Sequence, residues 1–303
     1  MTGTRTDPGT PSSSSPPAPR PARPVAKRRV GRRTRTVLRY ALLLLIMAIS
    51  VGPFLWQLST ALKGIGEDIY ASPPRFVPAD PTLGNFVRVG EVLPVWGYVW
   101  NSVRVALATV VLNVVGASLA GYALARLRFR GRRAALGVFI LALLVPGEAI
   151  MVAQFLMMRS VHLNDTLVAV VLPGMVGALN VLLMYNAFLA QSTQIDEAAM
   201  IDGANAWQRF TRVALPSVKG TIAVVAIFAF MGAWDDFLWP LIVLSDPDYY
   251  TLTIGLNYLK GTFVGDQRLI AAGTIIAVAP LILLFLTLQR YFFRGVNEGA
   301  IKG

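Results

Sequence analysis

The sequence predicts an all-α integral membrane fold with six spanning helices and both termini cytoplasmic. Three observations carry this reading. The apolar residues fall into six long blocks, the charge content is low, and Lys and Arg lie mostly on one side of the resulting topology. Over 303 residues, 55% are hydrophobic and 15% charged, whereas an average soluble domain is about a quarter charged. There is no cysteine and a single histidine, His162. Disulfides, cysteine-ligated metals and a multi-histidine centre are therefore excluded, and no metal site is expected.

In chain order, residues 1–36 are rich in Pro, Ser, Thr and Arg and almost free of large apolar side chains. Such a segment cannot bury enough surface to offset its chain entropy, so a disordered basic tail is expected. The apolar stretch behind it is too long for a signal peptide and lacks a small-residue cleavage pattern. The runs Lys27-Arg28-Arg29 and Arg32-Arg33 suit either anionic lipid head groups or a solvated topology signal.

The six apolar blocks run Val37–Leu62, Val103–Ala125, Ala134–Met158, Leu167–Ala190, Thr221–Leu244 and Leu269–Leu288. A helix rising about 1.5 Å per residue needs about 20 apolar residues to cross a bilayer, and every block reaches that length. None shows the short alternating pattern of a membrane strand. Orientation follows from the flanks. Twenty-one of the 28 basic residues lie in the N-terminal flank, the link Arg126–Arg133, the link between blocks four and five, and the C-terminal tail. The other three links hold six: Lys63, Arg75, Arg88, Arg159, Lys260 and Arg268. The formal charge of +12 would suggest nucleic acid in a soluble protein. Here it marks the cytoplasmic face, so lipid is the expected partner and nucleic acid is not. The outer link 63–102 is proline-rich, with Pro73, Pro74, Pro78, Pro81 and Pro94, and is expected to be irregular or to hold short helices.

The cytoplasmic link between blocks four and five is about 30 residues long, far beyond an ordinary bundle connection. Thr193 is placed to cap a first short helix, with Asp196 and Glu197 at its positive end. Gly203 stands where that helix ends in a left-handed residue. Asn205 and Gln208 have the spacing of a capping box for a second helix. Trp207, Phe210 and Val213-Ala214 share one face of it. Pro216 suits the first turn of the next membrane helix. A compact amphipathic segment of this kind fits a groove in another protein or the bilayer surface.

The run Glu197-Ala198-Ala199, three residues, Gly203, nine residues, Val213, one residue, Leu215-Pro216 resembles the EAA loop of bacterial ABC importer permeases. Val213 replaces that pattern's isoleucine. Further runs resemble the maltose-type second permease of the carbohydrate-uptake branch. These are Pro81–Phe86, Asn101-Ser102, Trp234–Leu241 and the ending Gly299–Gly303. The resemblance covers residues 37–303 and implies one transmembrane permease domain of the type I importer fold in a bacterial cell membrane. It implies that the loop 191–217 couples the chain to an ATPase through Glu197, Ala198, Ala199, Asp202, Gly203, Trp207, Phe210, Leu215 and Pro216. It also implies a second, non-identical permease subunit, two cytoplasmic ATP-binding subunits and an extracytoplasmic solute-binding protein. ATP and Mg would be bound by those partners, with no cofactor in this chain. The transported solute would be a sugar, with a polyol or glycerol phosphate as alternatives.

The chain contains no Gly-rich nucleotide loop ending in Gly-Lys-Ser/Thr and no residue set for nucleophilic or metal catalysis, so no enzymatic activity of its own is expected. Polar residues inside spans are costly and often mark a pathway. Glu148 follows Pro146-Gly147, where the third block is expected to break. Its carboxylate can accept hydrogen bonds from a solute's hydroxyls, or it can serve helix packing or gating. Trp234, Asp235 and Asp236 fit either solute contact or anchoring of the fifth block. Asn113, Asn180 and Asn186 fit interhelical hydrogen bonds as well as a solute path. Gly116, Ser118 and Gly121 point to close helix packing. Two other readings are an ion-gradient-driven carrier, supported by Glu148 and the pair Asp235-Asp236, and a non-transporting membrane adaptor, which would explain the docking loop but not the polar groups within the spans.

Overall fold

The computed structural model describes residues 2–3, 32–261 and 266–300, and the described elements are helical. Most of the tail expected over residues 1–36, and the last three residues of the chain, lie outside the described residues. The chain divides into two units, Met1–Val51 and Gly52–Gly303.

Helix α1 spans Arg32–Leu62. It starts before the first apolar block because its flanking Arg and Thr residues continue the backbone ladder. Between Thr34 and Val51 its side chains are exposed, and they are mostly apolar, as a surface facing lipid requires. The second unit begins within this helix, one residue before Pro53.

Two helices frame the second unit. Helix α3, Val95–Arg126, begins eight residues before the second apolar block. The last helix, Gln267–Ala300, is α14. Together with Thr34–Leu62, the segments Val95–Arg126 and Gln267–Gln289 are long and apolar enough to cross a bilayer, with mean hydropathies of 2.1, 1.9 and 2.7. The remaining apolar blocks are not straight. The third is split into α4, Arg132–Ala142, and α5, Gly147–Ser160, which meet at 105°. Pro146 offers no N–H to continue the ladder and Gly147 gives it little support, so the helix breaks where the sequence places them. The fourth block contains α6, Leu167–Val171, a 3-10 turn through Pro173-Gly174, and α7, Ala178–Leu189, bent by 45°. The fifth stops at Asp235. There α11, Lys219–Asp235, gives way to an extended Asp236 and the short α12, Leu238–Val243. If α4 with α5, Leu167–Gly174 with α7, and Ala206–Ser217 with α11 each count as one bent span, up to six crossings result by length and composition.

The N-terminal end of α3 is held by short elements that the hydropathy pattern does not show. These are α2, Gly84–Val92, and α13, Leu252–Gly261. Asn85 donates to the carbonyls of Ala61 and Lys63, both at 2.8 Å, and so closes the C-terminal end of α1. Asp266 pairs with Arg88 and with Arg268. Asn101 donates to the carbonyls of Asp248 and Tyr250, and Ser102 accepts from the N–H of Leu252. Asn85, Asn101 and Ser102 belong to the runs that resemble carbohydrate permeases. Each has a structural task here, satisfying buried backbone groups where a short helix meets a long one.

The opposite end of α3 packs against α7. At Gly121 a Cβ atom would stand 2.7 Å from the Met184 side chain and 2.8 Å from the Tyr185 backbone. At Gly116 it would stand 2.6 Å from Val176. The expected small-residue crossing is present, and it brings the two backbones together as membrane helix pairs do.

Candidate docking loop and intramembrane hollow

The long link forms two short helices and a turn. Helix α8 spans Thr193–Ile201, and its cap is Ser192, not Thr193. Thr193 instead occupies the first helical position, because the extended backbone that lets a side chain reach back occurs one residue earlier, at φ −61° and ψ 132°. At the far end the N–H of Ala204 bonds to the carbonyl of Ala199 at 2.9 Å, and that of Gly203 to Met200 at 3.1 Å. With Gly203 at φ +80°, this is a Schellman termination, which requires a left-handed residue at that point. Asn205 and Gln208 complete the capping box in both directions, each bond at 2.9 Å. They open α9, Ala206–Gln208, which runs into a π-helical turn over Arg209–Ala214 and then α10, Leu215–Ser217. Pro216 lies in this short helix and not in the first turn of the next span. Val218 interrupts the helix, and the chain bends by 81° before α11 begins.

The loop is fastened to the bundle at two places and braced within itself at a third. Phe210, 5% exposed, enters an aromatic cluster with Tyr122 of α3 and Phe188 of α7, at ring separations of 5.0 and 6.3 Å. Gln191 donates to the carbonyl of Ala214 at 3.0 Å and to the Ser217 hydroxyl at 2.6 Å, while its own carbonyl accepts from Arg126 at 2.7 Å. Arg209 pairs with Asp196 at 3.1 Å and locks the two halves of the loop together.

Its exposed surface mixes large apolar side chains with acids. Ile201 is 87% exposed and Trp207 63%, with Ile195 and Met200 beside them. Glu197, Ala198 and Asp202 are also exposed, as is Pro216, and Leu215 is half-buried. The coupling candidates therefore divide. Phe210 and Leu215 face the bundle, Gly203 shapes the turn, Glu197 lines a cleft with Arg126, Arg128 and Arg132, and Ala198, Asp202, Trp207 and Pro216 are exposed, with Ala199 half-buried. Gln191 and Tyr122 are absent from the residues singled out by sequence, and so are the pairing of Asp196 with Arg209 and the bond from Arg126 to Gln191. Their contacts join positions from 13 residues apart, Asp196 with Arg209, to the much wider separation of Tyr122 and Phe210, and helical spacing carries no sign of them.

A second feature lies among α3, α5, α6, α7, α11 and α12. It is a hollow of about 390 Å³, with Glu148, Asn180 and Asp236 among its lining residues. Glu148 sits in the first turn of α5, where a carboxylate favours the helix dipole. Asp236 accepts from the N–H of Trp239 at 3.3 Å. Asn113 holds the bend of the α6–α7 segment. It donates to Gly174 at 2.7 Å and to Thr109, and it accepts from the N–H of Gly177 and from Asn180, both at 2.8 Å. The other candidates lie outside this hollow. Trp234 is buried, donates to Ala277 at 2.9 Å and stacks on Phe230. Asp235 is exposed and lines a separate opening together with Asp236. Asn186 is exposed on α7.

A bundle of broken apolar helices with a polar hollow inside and a braced loop at one end defines a membrane transport subunit. The chain belongs to the family described as binding-protein-dependent transport system inner membrane component, whose pattern it matches over residues 113–298. It is 34% identical over 229 residues to the arabinooligosaccharides transport system permease protein AraQ of Halalkalibacterium halodurans, covering 75% of this chain and 82% of that one. It is 30% identical over 271 residues to the lactose transport system permease protein LacG of Rhizobium radiobacter, covering 89% and 98%. With the diacetylchitobiose uptake system permease protein DasC of Streptomyces coelicolor it shares 33% over 257 residues, covering 84% and 92%. In fold it resembles a chain of a bacterial ABC transporter that imports the acidic polysaccharide alginate. The TM-score is 0.77 at 22% identity, covering 86% of this chain and 97% of that one. The family is a transport component and not a catalytic one.

Proposed function

We propose that this chain is one of two non-identical permease subunits in an ATP-driven, binding-protein-dependent importer of a sugar or oligosaccharide in a bacterial cell membrane. In this reading it crosses the membrane six times, with three of the crossings bent, and both termini are cytoplasmic. The loop 191–217 then faces the cytoplasm and seats in a groove of one of two ATP-binding subunits, which hold ATP and Mg. An extracytoplasmic binding protein delivers solute at the opposite end of the bundle. The sugar assignment is supported by relatives named for arabino-oligosaccharides, lactose and diacetylchitobiose.

The observation that carries the reading is the loop itself, with Ile195, Met200, Ile201 and Trp207 exposed and Phe210 buried against the bundle. Closure of the ATPase dimer would move the outward face. The Arg209–Asp196 pair, the Gln191 bonds and the Phe210 cluster would pass that movement to α3 and α7 as a rigid body. Tilting of these helices would open the hollow to alternate sides of the membrane, with Glu148, Asn180 and Asp236 on the solute path.

The test is to purify the tagged chain from native membranes in mild detergent and identify what accompanies it by mass spectrometry. The reading expects an ATP-binding subunit and a second permease. Recovery of the chain alone or as a homo-oligomer, even after mild cross-linking, contradicts it.

A further inference from the structure

The hollow has a chemical bias. Two of its lining residues, Glu148 and Asp236, carry carboxylates, and none of the described residues that line it is Lys, Arg or His. Neither carboxylate takes part in an ion pair among the described residues. The Asp236 carboxylate receives the backbone N–H groups of Trp239 and Leu238, at the start of α12. Gln154 adds an amide to the same wall.

A second observation is independent of the acids. Asn180 lines the hollow and is 7% exposed, and its Oδ1 has no hydrogen-bond partner. Its amide nitrogen is committed to Asn113, which fixes which end of the amide is left over. A buried acceptor without a donor is costly, and in native proteins it calls for an explanation such as a ligand. Apart from the Gln154 amide and the Thr109 hydroxyl, which can also donate, the unfilled capacity of the hollow is of one kind. It accepts hydrogen bonds and carries negative charge.

From this we propose that Glu148 and Asp236 make the hollow an electrostatic filter, which admits neutral and amine-bearing solutes and holds back anionic ones such as uronates, sulfonates and sugar phosphates. The hydroxyls of a neutral sugar supply the donor that Asn180 Oδ1 lacks and can also donate to the two carboxylates. An anionic group brings no donor and meets like charge in a cleft whose low-dielectric walls focus the field. The inference rests on the hollow being part of the solute path, and it adds the charge class of what passes.

The test uses the assembled complex in detergent and needs no knowledge of the natural solute. The chain has no native cysteine, so a single cysteine reports on one place. Gln154→Cys puts a thiol in the wall of the hollow, and Val77→Cys, at an exposed link position, is the reference. Each is treated with three methanethiosulfonates of similar size: neutral hydroxyethyl, cationic trimethylammonium-ethyl and anionic sulfonatoethyl. Relative to the neutral reagent, the anionic one is expected to react about tenfold more slowly at position 154 than at position 77, the scale of effect that a focused field has on encounter rates. Glu148→Gln with Asp236→Asn should remove most of that difference. Glu148→Gln alone, a change at an exposed first-turn position, should remove part of it.

Equal anionic-to-neutral ratios at the two positions overturn the proposal, as does a ratio that the carboxylate variants leave unchanged. Failure of all three reagents to reach position 154 overturns it too. These rates are read without ATP or transport. Loss of the importer reading would show instead as an absence of ATP-driven uptake by the unmodified complex.

Discussion

Arg209 Nη1 lies 3.1 Å from Asp196 Oδ2, and this contact joins the first helix of the loop to the segment that leads back into the membrane. Both side chains are largely shielded from water, so the pair is worth more than an exposed surface bridge, and leaving one partner unpaired costs about 1–3 kcal/mol. Asp196→Asn or Arg209→Gln should leave the chain inserted and assembled but lower ATP-driven uptake severalfold. Asp196→Arg combined with Arg209→Asp should recover part of the loss. Uptake by membrane vesicles, normalised to the complex present, measures this.

Gly203 fails on conformation and not on space. Nothing lies within 4 Å of a Cβ built there, yet its φ is +80°. A β-branched residue in the left-handed region costs about 1–2 kcal/mol, and asparagine tolerates it better. Gly203→Val should reduce uptake strongly while Gly203→Asn retains most of it. Equal activity of the two would show that the Schellman turn does not matter to coupling.

Trp207 and Phe210 are neighbours with opposite duties, their rings 5.5 Å apart. Trp207→Ala removes an exposed side chain. It should leave thermal stability almost unchanged while weakening retention of the ATP-binding subunit during purification. Phe210→Ala empties a buried aromatic site, a change that typically costs about 3–5 kcal/mol, and it should lower the melting temperature of the complex as well. Fluorescence-detected thermal unfolding together with the subunit ratio separates the two.

Gly121 and Gly137 give a matched test of packing. A side chain at Gly121 meets Met184 and the Tyr185 backbone below 3 Å, whereas Gly137 in α4 has nothing within 4 Å. Gly121→Val should reduce accumulation of the folded chain in the membrane, because two helix backbones must separate to admit it. Gly137→Ala should have no such effect, since alanine is the better helix former.

Much of this was legible because the decisive chemistry is local. Apolar length is a property of one segment, and so are the helix break at Pro146-Gly147, the glycine turn at 203 and the capping box of Asn205 with Gln208. The rest depends on meetings between distant residues. Hydropathy gave no sign of α13, because its task is to receive Tyr98 and Ser102 from a helix about 150 residues earlier. Trp234 beside two aspartates reads equally as a solute contact or an anchor. Only its bond to Ala277 and its stacking on Phe230 place it in helix packing. Asn113 and Asn180 were legible as polar groups within spans, but not the way Asn113 consumes one end of Asn180 and leaves the other free.

The central claim, that the loop 191–217 docks on an ATP-binding subunit, is tested most directly by cross-linking from single cysteines in the assembled complex. Cysteine is placed at Ile201 or Trp207 on the exposed face of the loop, and at Val77 at the other end of the bundle as the control. A short bifunctional thiol-to-amine reagent should join positions 201 and 207 to the ATP-binding subunit and leave position 77 unjoined to it. Failure of both loop positions in a complex that retains the ATPase, or a cross-link to it from position 77, would contradict the account.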